Sequence, residues 1–110
     1  MNAWRVAFLG LFAASLWFFL APGSGVPQPM LFPHADKAEH ALLFAALAFL
    51  AARGFDAPPS GIAGPLLAYG FLVEVVQSYV PGRGADPFDF VADAVGVGVG
   101  LLIARPPRRG

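Results

Sequence analysis

The stretch Glu74–Asp93, EVVQSYVPGRGADPFDFVAD, decides how this chain is read. It joins two long apolar runs through a Pro-Gly turn. It also carries Glu74, Asp86, Asp89 and Asp93, four of the seven acidic residues. Glu74 and Asp93 lie inside the apolar runs, where the neighbours are valine, phenylalanine and alanine. A carboxylate in hydrocarbon costs roughly 2.5–3.5 kcal/mol on insertion scales, so an acid within a membrane helix marks a functional position by default. A helix cap explains Asp86, and either a cap or a site explains Asp89. Neither Glu74 nor Asp93 is explained by a cap, which leaves an interhelical polar lock as the structural alternative for both.

Composition sets the frame around that stretch. The 110 residues are 57% hydrophobic and 13% charged, and mean hydropathy is +0.66. A soluble domain has about 25% charged residues, so this chain has too little polar surface for water. The length accommodates about four spans of ~20 residues with short connections. The expected fold class is all-α: an integral membrane bundle of four transmembrane helices in one domain over 1–110. Formal net charge is zero, so no polybasic nucleic-acid partner is implied. With no cysteine, thiolate catalysis, disulfides and Cys-based metal sites are excluded.

The spans are expected at about 4–21, 36–53, 62–80 and 87–104. Arg5 followed by an apolar run to Leu20 has the form of a signal peptide. Pro22 directly after Ala21 makes a poor cleavage site, which favours an uncleaved first span. Pro22, Pro27, Pro29 and Pro33 then make a loop, because proline lacks the backbone donor and disfavours helix before it. Asp36-Lys37-Ala38-Glu39 reads as a helix start, with Asp36 as cap and Glu39 at the capping-box position. The second span must take Lys37 and His40 into the outer part of the membrane, since Ala41–Ala52 alone is too short. Asp86-Pro87 opens the fourth helix, where proline's missing N–H is tolerated at the first position. Ala92, Gly96 and Gly100 recur every fourth residue, a small-residue stripe for close helix packing. The alternating Gly-Val pattern there is no dinucleotide fingerprint, because the spacing fails at Leu101.

Lys and Arg placement orients the bundle. With both termini cytoplasmic, Arg5, Arg53, Arg105, Arg108 and Arg109 are inside, and only Lys37 and Arg83 are outside. Asp36–His40, Glu74–Ser78 and Arg83–Asp93 then converge at the outer face. Helical spacing aligns Glu74 with Gln77 and Ser78, and Asp89 with Asp93 and Gly96. The expectation is an outer-leaflet polar pocket among helices two, three and four. His40, Glu74 and Asp89 are the candidate catalytic residues, and Lys37, Gln77, Arg83 and Asp93 the candidate substrate-binding residues. Snorkelling to the interface is the bland account of Lys37 and Arg83.

Two chemistries fit. Lys37, Arg83 and the N-terminal ends of helices two and four suit an anionic head group, with His40, Glu74 or an Asp as acid or base. Conversely, Asp36, Glu39, Glu74, Asp86, Asp89 and Asp93 against Lys37 and Arg83 leave about four negative charges, which low dielectric does not tolerate uncompensated. His40 with Glu74, Asp89 and Asp93 offers hard-metal or mixed N/O ligands, which makes a divalent cation a candidate. No fixed metal motif such as HExxH identifies one, so metal and cofactor stay unassigned.

The combination Asp36-Lys37-x-x-His40, Glu74-x-x-Gln77 and Pro81-Gly82-Arg83, with Asp89 and Gly96/Gly100, resembles the VanZ-like family. These are small bacterial membrane proteins named for a teicoplanin-resistance protein. The resemblance covers roughly His34–Gly100. It implies a multi-span protein of the cell envelope in the bacterial cytoplasmic membrane, with an effect on glycopeptide susceptibility as a form of antibiotic resistance. It supplies no established reaction. Asp93 departs from the family, where Asn is expected. The leading functional expectation is a pocket that binds, with processing left open, a lipid-linked or cell-wall-related anionic substrate. Membrane lipid is the expected partner: an anionic lipid or a lipid-linked cell-wall precursor. A protein partner is left unassigned. The alternatives are a proton- or cation-handling membrane component, and a non-catalytic structural or accessory protein.

Overall fold

The computed structural model describes residues 2–20, 35–80 and 86–104, with side chains from residue 37 onward in the second stretch. The Pro22–Pro33 loop, the Asp36 side chain, Pro81-Gly82, Arg83 and the Arg105–Pro107 stop lie outside the described residues. Those described form four helices: α1 (Ala3–Leu20), α2 (Ala35–Gly54), α3 (Pro59–Gln77) and α4 (Pro87–Ala104).

Local chemistry explains the ends. Asn2 Oδ1 accepts the Arg5 N–H at 2.8 Å, an N-cap for α1. α3 runs Pro59–Gln77, where the sequence predicts a span at about 62–80. Its start is set by Pro58 in an extended conformation and Pro59 within the first turn, a position that needs no donor. Pro65 lies inside α3, on its exposed face. Past Gln77 the chain tightens into shorter turns: the Tyr79 N–H bonds the Val76 carbonyl and the Val80 N–H bonds Gln77. Asp86 Oδ1 accepts the Phe88 N–H at 2.9 Å and caps α4.

Three helices, α1, α3 and α4, are long and apolar enough to cross a membrane. α2 has 20 residues, but Asp36, Lys37, Glu39 and Arg53 lower its hydropathy. It is nonetheless central, packing against all three other helices and most extensively against α4. The α2–α4 pair runs parallel: Lys37 meets Asp86, His40 meets Asp93, and Ala41 and Ala45 meet Gly96 and Gly100. α1 and α3 also run parallel, with Ser15 against Tyr69 and Phe19 against Gln77. The two pairs point in opposite directions.

The α2–α4 contact depends on glycine. A Cβ built at Gly96 would collide with the Ala41 carbonyl oxygen, and one at Gly100 with that of Ala45. The stripe predicted from Ala92, Gly96 and Gly100 is occupied along α4 by Asp89, Asp93, Gly96, Val97, Gly100 and Ala104, all buried. Ala92 is half-buried beside it.

The core is aliphatic and aromatic: Phe19, Phe44, Leu47, Ile62, Leu66, Val73 and Val97 are buried together. The outer surface is apolar as well, with Trp17, Leu42, Phe71, Leu102 and Ile103 more than half exposed. Backbone polar groups closed within helices and an apolar exterior are what a lipid-facing bundle requires. One end of the bundle is basic. Arg5 Nε and Asn2 Nδ2 donate to the Gly54 carbonyl at 2.6 and 3.2 Å, bringing a cation to the C-terminus of α2. Arg53 stands over the rings of Trp4 and Phe49. Lys37, His40, Glu74, Asp86, Asp89 and Asp93 gather at the other end, while Asp56 stays at the basic end beside Gly54.

Candidate functional site

That other end brings together His40 and Lys37 from α2, Glu74 and Gln77 from α3, and Asp86, Asp89 and Asp93 around the start of α4. His40, Glu74, Gln77, Asp89 and Asp93 are buried, Asp93 completely. Arg83, the remaining residue expected in the pocket, lies outside the described residues.

His40 is the hub. Its ring lies 4.7 Å from that of Phe19, which covers one face. Nδ1–H donates to Asp93 Oδ1 at 2.8 Å. This bond fixes the ring's orientation and, in the neutral ring, leaves Nε2 as the acceptor nitrogen. Nε2 faces Asp89 Oδ2 at 3.7 Å, longer than a hydrogen bond.

Asp89 therefore faces the pocket, not its own helix end. Its Oδ1 lies 3.3 Å from Lys37 Nζ, which also bonds Asp86 Oδ2 at 2.7 Å. A capping box would return the third-position acid to the backbone N–H of Asp86. Here Glu74 Oε2, from α3, accepts that N–H at 3.0 Å. A carboxylate of one helix thus occupies the N-terminus of another, where the helix dipole favours it. Glu74 Oε1 is buried and has no hydrogen-bond partner among the described residues.

Gln77 spends its amide on structure. Nε2 donates to the Phe19 carbonyl at 2.9 Å, tying α3 to the last turn of α1, while Oε1 is buried without a partner among the described residues. Glu39 is exposed and stands at the rim of an open apolar groove between α1 and α2, lined by Leu11, Ala14, Trp17, Phe18, Leu42 and Ala46.

The sequence reading did not single out Gly70, Phe19 or the Ser15–Tyr69 pair. Ser15 Oγ and Tyr69 OH are 2.6 Å apart, a polar tie between α1 and α3 below the pocket. Gly70 adjoins Asp93. A local signal did exist for it: Leu66, Gly70, Val73 and Gln77 follow the helical spacing that puts them on the face of Glu74.

The chemistry available is that of an oriented imidazole beside carboxylates and an ammonium, in a buried cluster at a helix N-terminus. It can exchange a proton at Nε2 or ligate a cation through mixed N/O donors. No protein-family model, curated protein or solved structure matches the chain.

Proposed function

We propose that this chain is a VanZ-like protein of the bacterial cytoplasmic membrane that binds the anionic head group of a lipid-linked, cell-wall-related substrate in this pocket. All four helices span, both termini are cytoplasmic, and the pocket opens at the extracytoplasmic face. His40 serves as the acid–base group wherever binding is followed by reaction. The carrying observation is the buried Asp93–His40 bond, which turns Nε2 toward Glu74 and Asp89. A base oriented by a third group is the common arrangement of general-base sites.

Two further features support the reading. The polar first turn of α2 is matched within the bundle, Lys37 by Asp86 and Asp89 and His40 by Asp93, which reduces the cost of carrying it across a membrane. The apolar groove between α1 and α2 opens laterally beside this end, where an acyl chain would lie.

The test is Glu74→Gln. Normal abundance with loss of a glycopeptide-susceptibility phenotype supports chemistry at the pocket, whereas lost abundance supports a structural lock. Lipid-phosphate binding that is unchanged after joint loss of Lys37 and Arg83 counts against those two cations as the head-group clamp. One observation favours a second reading, proton or cation handling: four carboxylates gather at this end, Asp86 and Asp89 on Lys37, Asp93 on His40 and Glu74 on the Asp86 N–H. That reading fails where activity is independent of proton and cation gradients.

A further inference from the structure

We propose that His40 Nε2, Glu74 and Asp89 form a binding site for a divalent first-row transition metal of the zinc or manganese type. The inference deepens the pocket reading above and rests on it for the metal's use, although not for its binding.

Three observations converge. First, His40, Glu74 and Asp89 each place a ligand atom within 4.8 Å of the other two. They come from three different helices, so the cluster is a product of the fold and not of one acidic run. Second, His40 Nε2 and Asp89 Oδ2 approach to 3.7 Å. In the neutral ring with Nδ1–H on Asp93, Nε2 and Asp89 Oδ2 both turn lone pairs toward the space between them. Two donors at about 2.1 Å from one ion are at most about 4.2 Å apart, so this spacing suits a shared cation. Third, Glu74 is only 9% exposed and its Oε1 lacks a partner among the described residues. Such an oxygen in a dry interior carries a desolvation cost until something positive meets it.

The surroundings have the form of a metal's outer shell. A ligating histidine nearly always donates its other ring N–H to a carboxylate or carbonyl, and Asp93 accepts from Nδ1 at 2.8 Å. Lys37 holds Asp89 by Oδ1 and leaves Oδ2 on the histidine side. Asp86 supplies the backbone N–H that fixes Glu74 by Oε2. Each proposed ligand is thus positioned through an atom other than the one it offers. Phe19 shields the imidazole face from α1.

One imidazole and two carboxylates select zinc or manganese over calcium and magnesium, which prefer all-oxygen shells. Three protein ligands leave a position open for water or a phosphate oxygen. A dication there also resolves the conflict between an acidic pocket and an anionic head group. The phosphate would be met by the metal, while Lys37 remains paired with Asp86 and Asp89.

The experiment uses the full chain in detergent micelles, tag removed and metal stripped by chelation. Zinc binding is measured by equilibrium dialysis with elemental analysis, and manganese by the loss of the free-ion paramagnetic signal. One metal per chain is expected, abolished in His40→Ala, Glu74→Gln and Asp89→Asn and unchanged in Glu39→Gln. Asp93→Asn, a positioning change, should keep the stoichiometry and weaken affinity about 10- to 100-fold. Helix content by circular dichroism accompanies every variant. Should the ligand variants not fold, pulsed paramagnetic resonance on manganese-loaded wild-type chain decides. Coupling to one histidine nitrogen, retained in His34→Ala, supports the site; its absence overturns it. No stoichiometric binding, or binding indifferent to Glu74→Gln and Asp89→Asn in folded protein, also overturns it. A lipid-phosphate head group that binds equally with and without chelator leaves the pocket reading standing and removes the metal's part in it. Metal bound without head-group affinity does the reverse.

Discussion

Gly70 lies directly against Asp93. A Cβ built at residue 70 would stand 2.8 Å from Asp93 Oδ2 and 3.4 Å from its Cβ. Asp93 is fully buried and its other oxygen is bonded to His40 at 2.8 Å, so the carboxylate cannot swing aside without giving up the imidazole. Gly70→Ala should therefore act on His40 from a different helix. We expect helix content to persist while the His40 ring nitrogens, followed by 15N NMR, lose the Nδ1-protonated signature that Asp93 imposes. An unchanged ring spectrum would mean the carboxylate has room that the packing does not suggest.

Glycines in α4 divide sharply by position. Cβ atoms at Gly96 and Gly100 would strike the Ala41 and Ala45 carbonyl oxygens, whereas nothing lies within 4 Å of one at Gly98. Backbone cannot rotate out of the way as a side chain can, so Gly96→Ala or Gly100→Ala should cost at least about 1–3 kcal/mol. Gly98→Ala should be neutral or slightly stabilising, since alanine is the better helix former by about 1 kcal/mol. Unfolding midpoints in detergent micelles measure the contrast. Equal effects at positions 96 and 98 would contradict the parallel α2–α4 contact.

The Gly96/Gly100 pair shows what was legible. A period of four small residues is written along one helix and needs no partner to be read, and the same holds for Asp86-Pro87 at the start of α4. The convergence of His40, Glu74 and Asp89 followed from alternating helix direction plus the position of each residue near a helix end. Contacts set by the relative rotation of two helices were not legible. Spacing alone left Asp89 divided between cap and pocket. Only the approach of α3 explains why Glu74 takes the Asp86 N–H and releases Asp89 toward Lys37 and His40. Gly70 is a similar case, because its constraint comes from Asp93 across the bundle.

Gln77 separates binding from architecture. Its amide donates to the Phe19 carbonyl at 2.9 Å, near the end of α1. Gln77→Met removes that donor from the Phe19 carbonyl, a loss of about 1–3 kcal/mol. The expected result is a lower unfolding midpoint with any head-group affinity preserved per folded molecule. A stable Gln77→Met protein with no head-group affinity would assign the residue to the substrate instead.

Sidedness and the crossing of α2 can be tested together, because the chain has no cysteine of its own. Single cysteines at Ser24, Ser60 and Gly84 follow α1, open α3 and precede α4 in chain order. Ser60 belongs to the end that carries Arg5 and Arg53, which the proposed orientation places in the cytoplasm. An impermeant thiol reagent on intact cells should label positions 24 and 84 and spare 60. Labelling at 60 alone reverses the orientation and moves the His40 pocket to the cytoplasmic face. Labelling at both 24 and 60 would mean that α2 does not cross, and that its polar first turn lies along the membrane surface. The expected pattern requires α2 to span in spite of its charges. That is physically reasonable only while Lys37 stays matched by Asp86 and Asp89. Repeating the assay in Asp86→Asn/Asp89→Asn should therefore shift position 60 toward labelling or lower the amount of inserted protein.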